Sequence, residues 1–147
     1  MASWASGDGA EIVVWGSSTG WLVFYAALGL GARSRGVELL EPLHTVARAQ
    51  ALEHASVLRG RAHLECGDCL RSDASRAAAV VLASQCWDDE LCARVAIKLA
   101  AELPVGAAVV DYRREALAAR QEFALVHVAR LPVSWNASQP LYCFVRQ

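Results

Sequence analysis

The chain has 147 residues, 55% of them hydrophobic, and a formal net charge of -1 at pH 7. That length supports a single core, and the lack of a basic surplus argues against direct nucleic-acid binding. The five cysteines are an odd set and read as buried free thiols rather than a disulfide framework. Cys66-Gly67-Asp68-Cys69 has the spacing of half a zinc site, but no second Cys or His pair stands at a matching distance, so no metal is expected. Asn136-Ala137-Ser138 is formally a glycosylation sequon and is read as chance, because Asp8 and Glu11 stand where a secretory leader would be basic. The expectation is an intracellular protein, cytoplasmic or nuclear, with residues 1–10 frayed and residues 11–147 forming one domain.

No residue between Glu11 and Arg33 is charged, and a run of about twenty such residues is long enough to span a bilayer. Gly16-Ser17-Ser18-Thr19-Gly20 interrupts it, leaving a β-branched block, Ile12 to Trp15, and a helical block from Trp21. Strand, turn and helix is therefore the reading taken, with no membrane contact. Trp21, Phe24 and Tyr25 are expected to be the packing face of that helix. Gly36-Val37-Glu38-Leu39 forms a second strand, and Pro42 suits the first turn of a helix running to about Leu58.

Ala62 to Glu65 is a third strand, ending at Gly67-Asp68. Ala77 to Ala83 is a fourth, with the continuous apolar character of a strand covered on both faces. Asp88-Asp89-Glu90 places acids at a helix N-terminus, followed by Leu91, Val95 and Leu99 on one face. Leu103-Pro104-Val105-Gly106 stops that helix. Ala107 to Tyr112 is a fifth strand and Arg113 to Glu122 a short helix. Phe123 to Val133 and Leu141 to Val145 are two further strands, joined through Ser134 to Pro140. That connection is too short for a crossover helix, so the pair is expected to be antiparallel. His44 and His54 fall on a helix and His63 and His127 in strands, none with an acid or cysteine partner that would give it a catalytic role.

Alternation of strand and helix argues for parallel βαβ units. The opening strand, tight loop and helix, with an acid at the end of the next strand, are how such a fold holds a nucleoside. Small residues let the backbone approach, helix amides face the polar tail, and one carboxylate accepts from both ribose hydroxyls. Glu38 lies about twenty residues beyond the loop, as that arrangement requires.

The order of these units and the terminal hairpin resemble the class I S-adenosylmethionine-dependent methyltransferases over nearly the whole chain from Glu11. The residues that carry the resemblance are Gly16-Ser17-Ser18-Thr19-Gly20, Gly36-Val37-Glu38-Leu39, Gly67-Asp68-Cys69-Leu70 and Ala83-Ser84-Gln85-Cys86-Trp87. Within that superfamily the chain looks most like small relatives of the disruptor-of-telomeric-silencing histone-lysine methyltransferases. The resemblance implies an α/β fold: a Rossmann-like, mostly parallel seven-stranded sheet with an antiparallel C-terminal hairpin and helices on both faces.

It also implies S-adenosylmethionine as cofactor. Gly16, Ser17, Ser18 and Gly20 would line the loop beside its methionine part, Glu38 would bind the ribose, Asp68 would accept from the adenine amino group, and Cys69 would pack on the ring. Ser84, Gln85 and Trp87 would form the catalytic end, where a protein or small-molecule acceptor takes the methyl group, a protein lysine being favoured. Other roles stay open at this point: Asp68 as a turn cap, Ser84 and Gln85 as strand-end caps, and Trp87 as core.

Two departures from the family pattern stand out. The acid that ordinarily precedes the loop is Val14, and the middle glycine is Ser18, where a positive φ would cost serine what it would not cost glycine. Loss of that acid removes a charge-assisted hydrogen bond of about 1.5 to 3 kcal/mol. Few residues precede the first strand, so the pocket is expected to be open or closed by a partner subunit such as a second copy. The alternative function is a noncatalytic methyltransferase-like module for binding or dimerisation. An NAD-binding domain fits less well, because the usual third glycine is missing.

Overall fold

The computed structural model describes residues 11–147, and the expectation for residues 1–10 lies outside them. Seven strands form one sheet in the order β3-β2-β1-β4-β5-β7-β6. They are β1 (Glu11–Trp15), β2 (Arg33–Glu38), β3 (Ala62–Cys66), β4 (Ala77–Leu82), β5 (Ala108–Asp111), β6 (Phe123–Val133) and β7 (Asn136–Arg146). The first five run parallel, and β7 lies antiparallel between β5 and β6. This is the α/β class expected from the sequence, with its terminal hairpin. The strand order reverses between β1 and β4, and open α/β sheets bind ligands outside the carboxyl ends of the strands at such a point.

Apolar strands occupy the centre because both of their faces are covered. In β1, Ile12, Val13, Val14 and Trp15 are all buried. The principal core packs Val13, Trp15, Leu82 and Phe144 of the sheet with Val95 and Leu99 of α4 (Asp89–Glu102). Asp88 caps that helix, its Oδ1 accepting from the Leu91 amide at 2.7 Å, which satisfies one of the orphan donors of the first turn. The predicted acids and apolar face of α4 are both present. Among the described residues no helix is long and apolar enough to cross a membrane; the uncharged run is divided between β1 and α1 (Trp21–Gly29).

Four expectations need correction. On α1 the buried residues are Val23, Ala26 and Ala27, whereas Trp21 is 80% exposed and Tyr25 also faces outward. A helix apolar all round has no polar stripe to mark its outer side. Its contact face is chosen instead by closeness to β2: a Cβ on Gly36 would lie 2.6 Å from Val23 Cγ2, so the small-residue side docks there.

The helix predicted to reach Leu58 breaks at His54 into α2 (Glu41–Glu53) and α3 (Ala55–Leu58), and α5 (Glu115–Ala118) is a single turn. Finally, β7 starts at Asn136 rather than Leu141, because Val133 pairs with Asn136 across a two-residue turn. Pro140 is thereby in the strand, beyond the residues of β7 that pair with β5, where β7 has a neighbour on one side only and proline is tolerated.

Residues 67–76 connect β3 to β4 with only a 3-10 turn, Cys69–Arg71, less than the dozen or so residues, usually helical, of an ordinary parallel crossover. Arg35 ties this short connection to the sheet. Its guanidinium donates to Glu11 Oε2 at 2.6 Å, to Ser72 Oγ at 2.6 Å, to the Asp73 carbonyl at 2.5 Å and to Glu65 Oε2 at 3.5 Å.

Candidate functional site

The loop after β1 folds back onto the end of β2. The amides of Gly16 and Ser17 both donate to the Val37 carbonyl, at 2.9 and 3.1 Å, and the Gly20 amide closes the turn on the Ser17 carbonyl at 2.8 Å. Gly16 and Gly20 have φ of 76° and 92°, and Ser18 has φ of 51°. The strain that the Ser18 substitution would bring is thus present, since left-handed backbone is disfavoured for residues bearing a Cβ.

Glu38 explains how the serine is held there. Its carboxylate is buried, with Oε2 accepting from the Ser18 amide at 2.7 Å and Oε1 from the Leu40 amide at 2.8 Å. Each carboxylate oxygen has two acceptor sites, so each keeps one for a further donor. α1 begins immediately after the loop with no side-chain cap, leaving its first-turn amides without intrahelical partners. Gly16, Ser17, Ser18, Gly20 and Glu38 are therefore brought together. Leu39 and Leu40, beside Glu38, are exposed and offer an apolar surface next to its carboxylate. They were not singled out as site residues, although two leucines directly after a strand-end acid were a readable signal.

Asp68 stands at the end of β3, where its Oδ1 accepts from the Leu70 amide at 2.8 Å and caps the 3-10 turn. The second carboxylate oxygen makes no hydrogen bond to a described residue. Cys69 is half-buried, and burial together with the neighbouring Asp68 charge pushes its thiol up to about 11; it stays protonated at neutral pH and packs against the core. A cavity of about 340 Å³ is lined by Val37, Glu65, Cys66, Gly67, Asp68, Arg71 and Ser72. Glu38 is not among the residues that line it.

At the end of β4 the three candidate catalytic residues separate. Gln85 is exposed and Trp87 half-buried, but Ser84 is fully buried and donates its hydroxyl to Asp111 Oδ1. Ser84 is thereby committed to a partner on β5, and its hydroxyl caps no backbone amide. Trp87 lies beside the loop after β1: a Cβ on Gly16 would lie 3.5 Å from Trp87 Cζ2 and 3.4 Å from Ala83 Cβ. Val14, at the position of the missing acid, is buried. His44 is buried, with no ion pair or side-chain hydrogen bond among the described residues. No group of three or more His, Cys, Asp or Glu among the described residues is placed to hold a metal ion, and all five cysteines are unbridged, but against expectation only Cys92 is buried, while Cys66 and Cys86 are exposed.

No protein-family model matches the chain, and no curated protein matches it. Solved structures do. An RNA methyltransferase from Salinibacter ruber in complex with S-adenosyl-L-homocysteine is 24% identical, with a TM-score of 0.75 over 95% of this chain and 85% of that one. A geranyl diphosphate C-methyltransferase from Streptomyces coelicolor A3(2) is 15% identical, with a TM-score of 0.77 over 96% and 71%. Magnesium protoporphyrin IX methyltransferase from Synechocystis PCC 6803, with bound S-adenosylmethionine, is 15% identical, with a TM-score of 0.74 over 95% and 71%. Together with the strand order and the hairpin, these likenesses show that the chain has the fold of the class I S-adenosylmethionine-dependent methyltransferases.

Proposed function

We propose that the chain is an S-adenosylmethionine-dependent methyltransferase whose cofactor site is the loop from Gly16 to Gly20 with Glu38 and Asp68. The observation that carries this reading is the Glu38 carboxylate, buried at a strand end, tied to the loop through the Ser18 amide and still able to accept from a ribose diol. The residues present fit the nucleoside end of the cofactor. Glu38 would take the ribose hydroxyls, the exposed Leu39 and Leu40 would cover the base, and the unpaired oxygen of Asp68 would accept from its amino group. The methionine end fits less fully, because buried Val14 offers no carboxylate to the amine.

A bound sulfonium supplies a methyl group that is already activated, so the protein's share is to orient the reactants and exclude water. Exposed Gln85 and half-buried Trp87 border the end of β4 beside Gly16 and are the residues assigned to the acceptor. The solved relatives name RNA, geranyl diphosphate and protoporphyrin among their acceptors, so the fold does not choose among acceptors. A protein lysine is proposed on the sequence resemblance to the disruptor-of-telomeric-silencing group alone. A second reading, a noncatalytic module keeping the fold for binding or dimerisation, is favoured by Val14.

Calorimetric titration of the purified protein with S-adenosylmethionine and with S-adenosylhomocysteine tests the cofactor site. Binding in the micromolar range, about -8 kcal/mol, that is weakened in Asp68→Ala and abolished in Glu38→Ala supports it. Absence of heat at millimolar ligand refutes it and turns attention to protein partners.

A further inference from the structure

The cofactor reading leaves unused a buried titratable group three strands from Glu38, at the end of β5. Asp111 is 3% exposed and Ser84 fully buried. Leu82 and Asp111 are register partners across β4 and β5, which sets the carboxylate under the turn that follows β4. Asp111 Oδ1 accepts from the Ser84 hydroxyl and from the Arg113 amide, the latter at 3.1 Å.

Arg113 then reaches back over the same turn. Its Nη1 donates to the Trp87 carbonyl at 2.7 Å, and its Nη2 pairs with Asp89 at the start of α4. The turn itself closes through the Trp87 amide on the Ser84 carbonyl at 3.1 Å. Trp87 in turn lies beside Gly16, where a Cβ would meet the indole Cζ2 at an ordinary contact distance of 3.5 Å.

We propose that Asp111 is a positioning residue: through the Ser84 hydroxyl and Arg113 it holds both ends of the turn from Ser84 to Trp87, and through Trp87 it sets the Gly16 end of the cofactor loop. The inference rests on the cofactor-site reading and adds the means by which β5 reaches that site. Stability alone does not account for such an arrangement. Burying a carboxylate to serve one hydroxyl and one amide is costly, and a well-packed apolar pair of similar volume is often as stable or more so. What the polar pair adds is direction, because each hydrogen bond fixes one end of a turn that carries the candidate acceptor-side residues.

The test compares Asp111→Ala, Asp111→Asn and Arg113→Gln with the unmodified protein. Two quantities are read: S-adenosylhomocysteine affinity by calorimetry, and acrylamide quenching of Trp87, taken as the difference against a Trp87→Phe background. Asp111→Ala and Arg113→Gln are each expected to weaken the ligand by about tenfold or more, the scale of one lost charge-assisted hydrogen bond, and to raise Trp87 quenching. Asp111→Asn keeps an amide oxygen that can accept from Ser84 and from the Arg113 amide, so it should restore both readings. The Asp111→Ala, Arg113→Gln double variant should be little worse than either single one, as for residues acting through one network.

Arg113 is partly exposed, and Arg113→Gln leaves the core intact, so it reports even where Asp111→Ala fails to fold. A folded Arg113→Gln protein with unchanged affinity and unchanged Trp87 quenching overturns the inference. If the unmodified protein binds no cofactor, the cofactor reading fails, and the quenching of Trp87 still decides whether Asp111 and Arg113 hold the turn.

Discussion

Glu38→Gln separates the two jobs assigned to that residue, holding the loop and meeting the ligand. In the folded protein both carboxylate oxygens accept backbone amides, at 2.7 and 2.8 Å, and the side chain is buried. A glutamine keeps one acceptor oxygen and turns an NH2 toward the other amide. One charge-assisted hydrogen bond is lost outright, a cost of about 1.5 to 3 kcal/mol. The Ser18 backbone, already at φ 51°, loses part of what holds it in the left-handed region.

For a chain of this size about 1 kcal/mol moves Tm by about 2 to 4 °C, so a drop of about 3 to 12 °C is expected in the ligand-free protein. Circular dichroism melts measure it, with calorimetry on the same sample for S-adenosylhomocysteine. A Tm equal to that of the unmodified protein would refute the idea that Glu38 holds the loop. Loss of binding with an unchanged Tm would leave it as a ligand contact alone.

Gly36→Ala should cost about 1 to 3 kcal/mol as an overpacked site, because its Cβ would lie 2.6 Å from Val23 Cγ2 and 2.7 Å from Ser17 Oγ; urea unfolding measures the loss, and cofactor binding should weaken with it. Ser18→Gly should be neutral to stabilising by up to about 1 kcal/mol, since glycine accepts the positive φ without strain, read as a raised urea midpoint. Arg35→Met should destabilise by about 2 to 3 kcal/mol, less than for a fully buried pair because the cluster is partly exposed, with urea unfolding again the measure. Burial raises the Asp111 carboxyl above the usual carboxylate range, so between the unfolded value of about 3.9 and the folded one the native state binds more protons. Stability therefore falls as pH rises through that window. Asp111→Asn should lack this slope and gain on the unmodified protein as pH rises; parallel stability profiles in urea would refute it.

Local patterns in the chain were enough for the elements near the candidate site. The block Ile12 to Trp15, the glycine and serine turn and the apolar helix followed from residue type, as did Glu38 at a strand end and the acids and apolar face of α4. Steric limits and hydrophobic periodicity act over a few residues, so they are legible in order. The outward turn of Trp21 and Tyr25 was not, because α1 is apolar on every side and only its closeness to Gly36 chose the buried face. The start of β7 depended on pairing across the hairpin, and its proline on the end of β5.

Ser84 looked like a site residue by its place after β4. Its hydroxyl is committed to Asp111, a partner 27 residues away that only the β4 and β5 register brings beneath it. Arg35 likewise replaces a crossover helix by contacts with four separate positions. Sequence by itself determined the order in which strands, turns and helices follow one another and which acid ends β2. Tertiary structure decided which face each segment buries and which polar groups meet, because those depend on contacts between residues far apart in the chain that no local pattern encodes.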